Sequence, residues 1–204
     1  MARRRIARFF MYFFLSVGAI IMIFPFFWMF ASAFKLPTEI NKFPPQWLPS
    51  SLSLTNFEIA FSKAPFARYF LNSVIVMVCS VSITTFTTIL GAFAFSRLKF
   101  PGRDTLFSLL LSLMMIPFEM LIITNYSTIV SLGLWDTLPA LILPFTSSIF
   151  YMYILKNFFA TVPDSLYYSA RIDGSSNWRF LWRILVPMAR PSLVTIILLN
   201  ALAS

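Results

Sequence analysis

Any chemistry in this chain has to be done without imidazole and almost without thiol. Its 204 residues contain no histidine and one cysteine, Cys79, set inside an apolar run and read as a small buried apolar residue. That removes a disulfide framework, zinc ligand sets, c-type haem attachment and any Ser-His or Cys-His pair. The five glycines, Gly18, Gly91, Gly102, Gly133 and Gly174, are too scattered for a dinucleotide fingerprint or a phosphate loop. Carboxylates remain, and Glu119 is the one acid inside an otherwise uncharged apolar stretch. A charge there cannot face lipid cheaply, so it is expected to point at a bundle interior or a wet cavity. Ser80, Ser82, Thr84, Thr85, Thr87 and Thr88 crowd another apolar stretch, where small hydroxyl side chains are expected to make helix contacts rather than line a pore.

The elements that position these groups follow from composition. Hydrophobic residues make up 59% of the chain, charged ones 11%, and mean hydropathy is +0.81, against about 45–50% apolar and about 25% charged in a soluble domain. Such a chain cannot cover a water-facing surface. A helix needs roughly 20 apolar residues to cross about 30 Å of hydrocarbon. Uncharged or nearly uncharged runs at 9–34, 69–95, 105–124 and 138–155 are expected as four spans, and 191–204 as part of a fifth, with more chain expected after Ser204. The first run resembles a signal peptide behind Arg3, Arg4, Arg5 and Arg8, but it exceeds the 7–15 residues of a signal h-region and is read as an uncleaved helix.

Lys and Arg set the orientation. With the amino terminus inside, inner segments hold Arg3, Arg4, Arg5, Arg8, Arg97, Lys99, Arg103, Lys156, Arg171, Arg179, Arg183 and Arg190, and outer ones only Lys35, Lys42, Lys63 and Arg68. The net charge of +9 is thus mainly a positive-inside signature, with no need for nucleic acid, and the amino terminus is expected to be cytoplasmic.

In the outer segment Lys35–Arg68, Pro37, Pro44, Pro45, Pro49 and Pro65 forbid a long helix, so an extended cap is expected. Pro101-Gly102 is a type II turn pair. The inner loop 156–190 carries the most information. Pro163-Asp164 opens a short helix and Asp173-Gly174 closes it. Trp178, Leu181, Trp182 and Leu185 then recur at helical spacing, with Arg179 and Arg183 on another face, the profile of a helix lying in the membrane interface.

In this loop Tyr168-Ser169-Ala170-Arg171-Ile172-Asp173-Gly174-Ser175, followed by Ile184-Leu185-Val186-Pro187, resembles the EAA motif of ABC importer permeases. Ala170, Asp173, Gly174, Ile184 and Pro187 match the pattern, while Tyr168, Ser169, Ser175, Leu181 and Val186 depart from it. Further similarity runs through Thr55-Asn56-Phe57, Asn72-Ser73, the segment from Phe95 to Arg103, Ile116-Pro117-Phe118, Leu132 to Thr137 and Leu141 to Pro144, in an order that fits the topology. The chain is most similar to the shorter, six-helix permease of maltose-type carbohydrate importers.

The resemblance implies an all-α polytopic helical bundle of the MetI-like, type I importer kind, with no catalysis of its own. It implies a second permease as heterodimer partner, two cytoplasmic ATP-binding subunits that hold ATP and Mg, and an extracytoplasmic sugar-binding protein, in the plasma membrane of a prokaryote. Tyr168, Ser169, Ala170, Asp173, Gly174, Ile184 and Pro187 would form the ATPase-docking loop, and small Ser169 and Ala170 would allow close approach to the partner. Glu119 and Asn200 are candidates for the translocation path, with a structural role for Glu119 near the outer interface as the alternative. Tyr168 stands where the family has a glutamate, so it can hydrogen-bond or stack but cannot pair with a base. The rival readings are half of a secondary transporter and a non-transporting remnant.

Overall fold

The computed structural model describes residues 2–203. Ser204 and the side chains of residues 2–4 and 7, including those of Arg3 and Arg4, which the charge count expects inside, lie outside the described residues. All regular structure among the described residues is helical, and the chain divides into two compact units, Met1–Tyr69 and Phe70–Ser204.

In the first unit α1 (Ala2–Ala33) continues straight through Pro25, and the proline-rich segment after it holds only two short helices, α2 (Pro37–Ile40) and α3 (Thr55–Lys63). The last carbonyls of a helix lack partners within it. Here Asn56 Nδ2 donates to the carbonyls of Lys35 at 2.7 Å and Ala33 at 3.2 Å, closing the end of α1 with a side chain from α3. Lys35 is only 1% exposed: its Nζ lies 4.0 Å from the Trp28 ring centroid and donates to the Gln46 carbonyl at 2.6 Å. Glu39 accepts from Ser50 Oγ and, at 3.2 Å, from the Leu36 amide. The Ser50 hydroxyl bond holds the Glu39 carboxyl below its ordinary range, against the opposing effect of burial.

In the second unit α4 (Phe66–Arg97), whose first residues close the first unit, is followed by α5 (Arg103–Leu113), a 3₁₀ turn (Phe118–Leu121) and α6 (Ile122–Ser131). Then come α7 (Leu138–Ile142), a 3₁₀ turn (Leu143–Phe145), α8 (Ile149–Thr161) and α9 (Asp164–Ile172). The chain ends in α10 (Asn177–Phe180), a π-helical turn (Leu181–Leu185), α11 (Val186–Met188) and α12 (Arg190–Ala203). The turn at Pro101-Gly102 has Gly102 at φ 75°, as a type II turn requires.

Among the described residues only α1, over Arg8–Ala33, and α4 are single helices long and apolar enough to cross a membrane. The remaining stretches qualify only as bent pairs, so the spans expected over 105–124 and 138–155 fall on broken helices. The first is bent by 89° between Leu113 and Phe118, because Pro117 has no N–H and disfavours helical conformation in the residue before it. The helix unwinds there through tighter bonds, Met114, Met115 and Ile116 each donating to the carbonyl three residues back. The second is bent by 45° where Pro144 and Ser148 separate α7 from α8. Segment 177–203 is bent by 80° at Ala189, and α12 begins at Arg190, one residue before the 191 start of the expected fifth span.

The backbone groups released by the second break are met from α4. Thr84 Oγ1 donates to the Phe145 carbonyl and Thr87 Oγ1 to the Thr146 carbonyl, the latter at 2.8 Å. Ser80, Thr84 and Thr88 are buried and Ser82 is exposed, so within the hydroxyl row the helix contacts expected from its residue types are made by Thr84 and Thr87; Cys79, by contrast, is half-buried rather than buried. The core lies among Ile89, Ala92, Phe93, Met152, Leu155, Phe159, Leu185 and Ile196. At Gly91 the helices α4 and α8 come so close that a Cβ would stand 2.5 Å from the Met152 methyl.

Candidate functional site

The chemistry-bearing part of the second unit is α9 and what holds it. Pro163 is the residue before the helix, and Asp164 in its first turn places a carboxylate at the positive end of the dipole. At the other end Gly174 takes φ +76°, the Gly174 amide donates to Arg171 at 3.1 Å and the Ser175 amide to Ala170 at 2.9 Å. These two bonds are a Schellman stop, as Asp173-Gly174 suggests. Ser176 Oγ then caps the next helix, accepting from the Arg179 amide at 3.2 Å.

The two helices are joined side to side. Tyr167 Oη donates to Asn177 Oδ1 at 2.9 Å, and the Tyr167 and Phe180 rings meet edge to face at 5.0 Å. Phe180, Leu181 and Leu185 are fully buried, and Trp182 stacks on Phe86 of α4 with centroids 6.2 Å apart. This changes the reading of the Trp178–Leu185 stripe: apart from Trp178, 58% exposed, its apolar face packs into the chain's own core instead of lying free for lipid.

The candidate docking residues separate by face. Tyr168, Ser169, Asp173 and Gly174 are exposed, and Ile172 beside them is 86% exposed. Ala170 is buried in the core cluster, so its small size permits approach of α9 to its own helices rather than to a partner; that corrects its assignment to the partner-facing surface. Ile184, within the π-helical turn, and Pro187, in α11, are half-buried and lie outside α9. The missed residues are Leu166 and Ile172, exposed apolar positions on the same short helix, whose spacing of six gives no strong periodic signal.

The two path candidates are not brought together. Glu119 sits exposed in the 3₁₀ turn after the 89° bend, not about 21 Å along a continuous helix from Thr105 as 1.5 Å per residue would put it. Asn200 is buried in α12 and, with Ser80, Val76, Leu141, Phe145 and Ala203, lines a cavity of about 310 Å³. A second cavity, about 770 Å³, opens beside α9 and is lined by Arg97, Lys99, Arg103, Asp164, Tyr167 and Tyr168 among others.

A chain with bent, membrane-length helices and one exposed, doubly braced short helix in a basic loop has the build of a multi-pass permease component. The family is decided by sequence: residues 87–204 match the model of the binding-protein-dependent transport system inner membrane component, and the chain belongs to that family. It is 32% identical over 190 residues to the diacetylchitobiose uptake system permease protein NgcG of Streptomyces coelicolor, covering 92% of this chain and 63% of that one. It is 33% identical over 198 residues to the inner membrane ABC transporter permease protein YcjP of Escherichia coli, covering 95% and 71%. A bacterial ABC transporter involved in the import of the acidic polysaccharide alginate shares the fold, with a TM-score of 0.89 over 98% of this chain and 70% of that chain at 22% identity. The chain thus spans somewhat under two thirds of the length of NgcG.

Proposed function

We infer that this chain is a membrane-spanning permease subunit of an ATP-driven, binding-protein-dependent carbohydrate importer. In this reading it forms the translocation path with a second permease and receives a sugar from an extracytoplasmic binding protein. Loop 163–187 docks on a cytoplasmic ATPase, and the two ATPases supply ATP and Mg binding. The chain lies in a prokaryotic plasma membrane with its amino terminus inside, and its spans fall near 9–34, 69–95, 105–124, 138–155 and 191–204.

The observation that carries the reading is α9. It is a nine-residue helix stopped by Gly174, with Tyr168, Ser169, Ile172 and Asp173 exposed, tied by Tyr167 and Phe180 to the helix that follows. A short helix braced on one side and open on the other can take a push from a partner and pass it on as a rigid body. Carbohydrate as the cargo class is supported by the relatives: NgcG is named for diacetylchitobiose, and YtcP of Bacillus subtilis, 34% identical over 190 residues, for polygalacturonan and rhamnogalacturonan. Broken helices also suit a secondary transporter, but the family match weighs against that alternative.

The test is reconstitution of the chain in lipid with the permease, ATPases and binding protein encoded beside it. ATP hydrolysis stimulated by sugar-loaded binding protein, and uptake that needs ATP, are expected. Tyr168→Glu should keep or strengthen the stimulation. Its abolition would sink the idea that the phenol stands in for the acid, and uptake driven by an ion gradient without ATP would sink the importer reading.

A further inference from the structure

Arg97 is counted by sequence among a dozen inner basic residues, and its position in the fold sets it apart. It is the last residue of α4, and its side chain is 3% exposed, although the carboxylate it pairs with, Asp164, is 77% exposed. One guanidinium nitrogen, Nη1, donates to Asp164 Oδ1; the other, Nη2, donates to the carbonyls of Phe159 and Val162. Those three acceptors span one corner of the chain. Phe159 is in the last turn of α8, Val162 follows its end, and Asp164 is the first residue of α9.

A buried guanidinium is costly unless its charge and its N–H groups are met. Here the two terminal nitrogens are met by a carboxylate and by two carbonyls at the negative end of α8, where the Phe159 carbonyl also accepts from the Val162 amide, while the buried Nε has no hydrogen-bond partner. The planar fork suits this, since two nitrogens at fixed geometry reach three acceptors. A lysine would bring one compact point charge to the same place and could not reproduce the fork. α4 is gripped at a second level as well, where Thr84 and Thr87 bond to the carbonyls of the α7–α8 break. The same helix is therefore fastened to both ends of α8.

We propose that Arg97 is a positioning residue that clasps the inner end of α4 to the α8–α9 corner, so that displacement of the docking helix is delivered to α4 as one movement. The proposal rests on the reading of α9 as the ATPase-docking helix. Arg97 does not lie on the exposed face of α9, so removing the clasp leaves the docking surface itself in place. It separates binding of the ATPase from use of its stroke.

The experiment uses the complete transporter in lipid with Arg97→Lys and Asp164→Asn. For Arg97→Lys, ATPase subunits should co-purify as in wild type and ATP hydrolysis should persist within about 2-fold, while uptake falls at least about 10-fold. Asp164→Asn keeps both carbonyl bonds and an acceptor oxygen, so a smaller loss of uptake, about 2- to 5-fold, is expected, and the double variant should be no worse than Arg97→Lys. If Arg97→Lys does not assemble, Asp164→Asn carries the same test. Spin labels on Lys99→Cys and Ser165→Cys, in a Cys79→Ala background, read the clasp directly. Their distance distribution should be narrow and unchanged by ATP in wild type, and broad in Arg97→Lys. Uptake and hydrolysis falling in equal proportion, unchanged uptake, or an unchanged label distribution overturns the clasp. Failure of the docking reading shows separately, as a Ser169→Cys thiol that remains equally open to labelling with and without the ATPases.

Discussion

Gly174 allows the end of α9 to be tested by one methyl group. Its φ of +76° is a conformation that costs an L-residue about 1–2 kcal/mol, and a Cβ built there would meet nothing within 4 Å. The effect of Gly174→Ala is therefore conformational strain with no steric clash. A change of 1–2 kcal/mol shifts a local equilibrium roughly 5- to 30-fold. The amides of Asp173, Gly174 and Ser175, which donate to Ser169, Arg171 and Ala170, should exchange hydrogen faster by that factor in lipid-reconstituted protein. Gly174→Asn should show only a small part of the change, because asparagine visits the left-handed region with less strain. Gly174→Val, branched at Cβ, should show the most. A control is Gly18→Ala within α1, where there is also open space but no positive φ, and alanine should if anything strengthen the helix. Equal protection in Gly174→Ala and wild type, or equal damage from Asn and Ala, would refute the assignment of a left-handed stop and leave some other cause for the helix end.

Glu39, in the proline-rich segment after α1, provides a pH dependence. Because Glu39 has a folded pKa below its unfolded one, its contribution to loop order is complete above the ordinary carboxylate range and is lost as pH falls through the lowered value, so proteolysis within 34–55 should rise in that acid window and do so less in Glu39→Gln. At Gly91, Ala should be tolerated, since the flexible end of Met152 can move, whereas Gly91→Phe should overpack the α4–α8 contact by about 1–3 kcal/mol, read as loss of thermal stability in detergent. Thr84→Val and Thr87→Val should each leave one carbonyl of the α7–α8 break without its hydroxyl and cost about 1–3 kcal/mol by the same measurement, with the double variant close to the sum only if the two bonds act independently.

Features set by neighbours a few positions apart were legible without coordinates. Gly102 in its turn, Gly174 at its helix stop, the opening of α9 at Pro163-Asp164 and the apolar lengths of α1 and α4 all follow from local backbone sterics or from the length of an uncharged run. Pro117 by its residue type marks a break in a helix, yet the 89° bend does not follow from it, because a proline says where a helix stops and not where the next one goes. The Trp178–Leu185 stripe shows the same limit. Its periodicity establishes an apolar face, but lipid and protein core ask for the same residues, and only packing against α4 assigns most of that face to the core.

The sequence by itself determined a helical membrane chain, the family through the order of its motifs, and the two ends of α9. Tertiary structure decided which residues of that helix face outward, turning Ala170 in and leaving Tyr168, Ser169 and Ile172 out. It also decided the role of Arg97, whose three acceptors lie 62, 65 and 67 positions along the chain. Burial of a charge depends on every group that meets it, and those groups are gathered by the packing of α4 against α8, at a separation no local pattern spans.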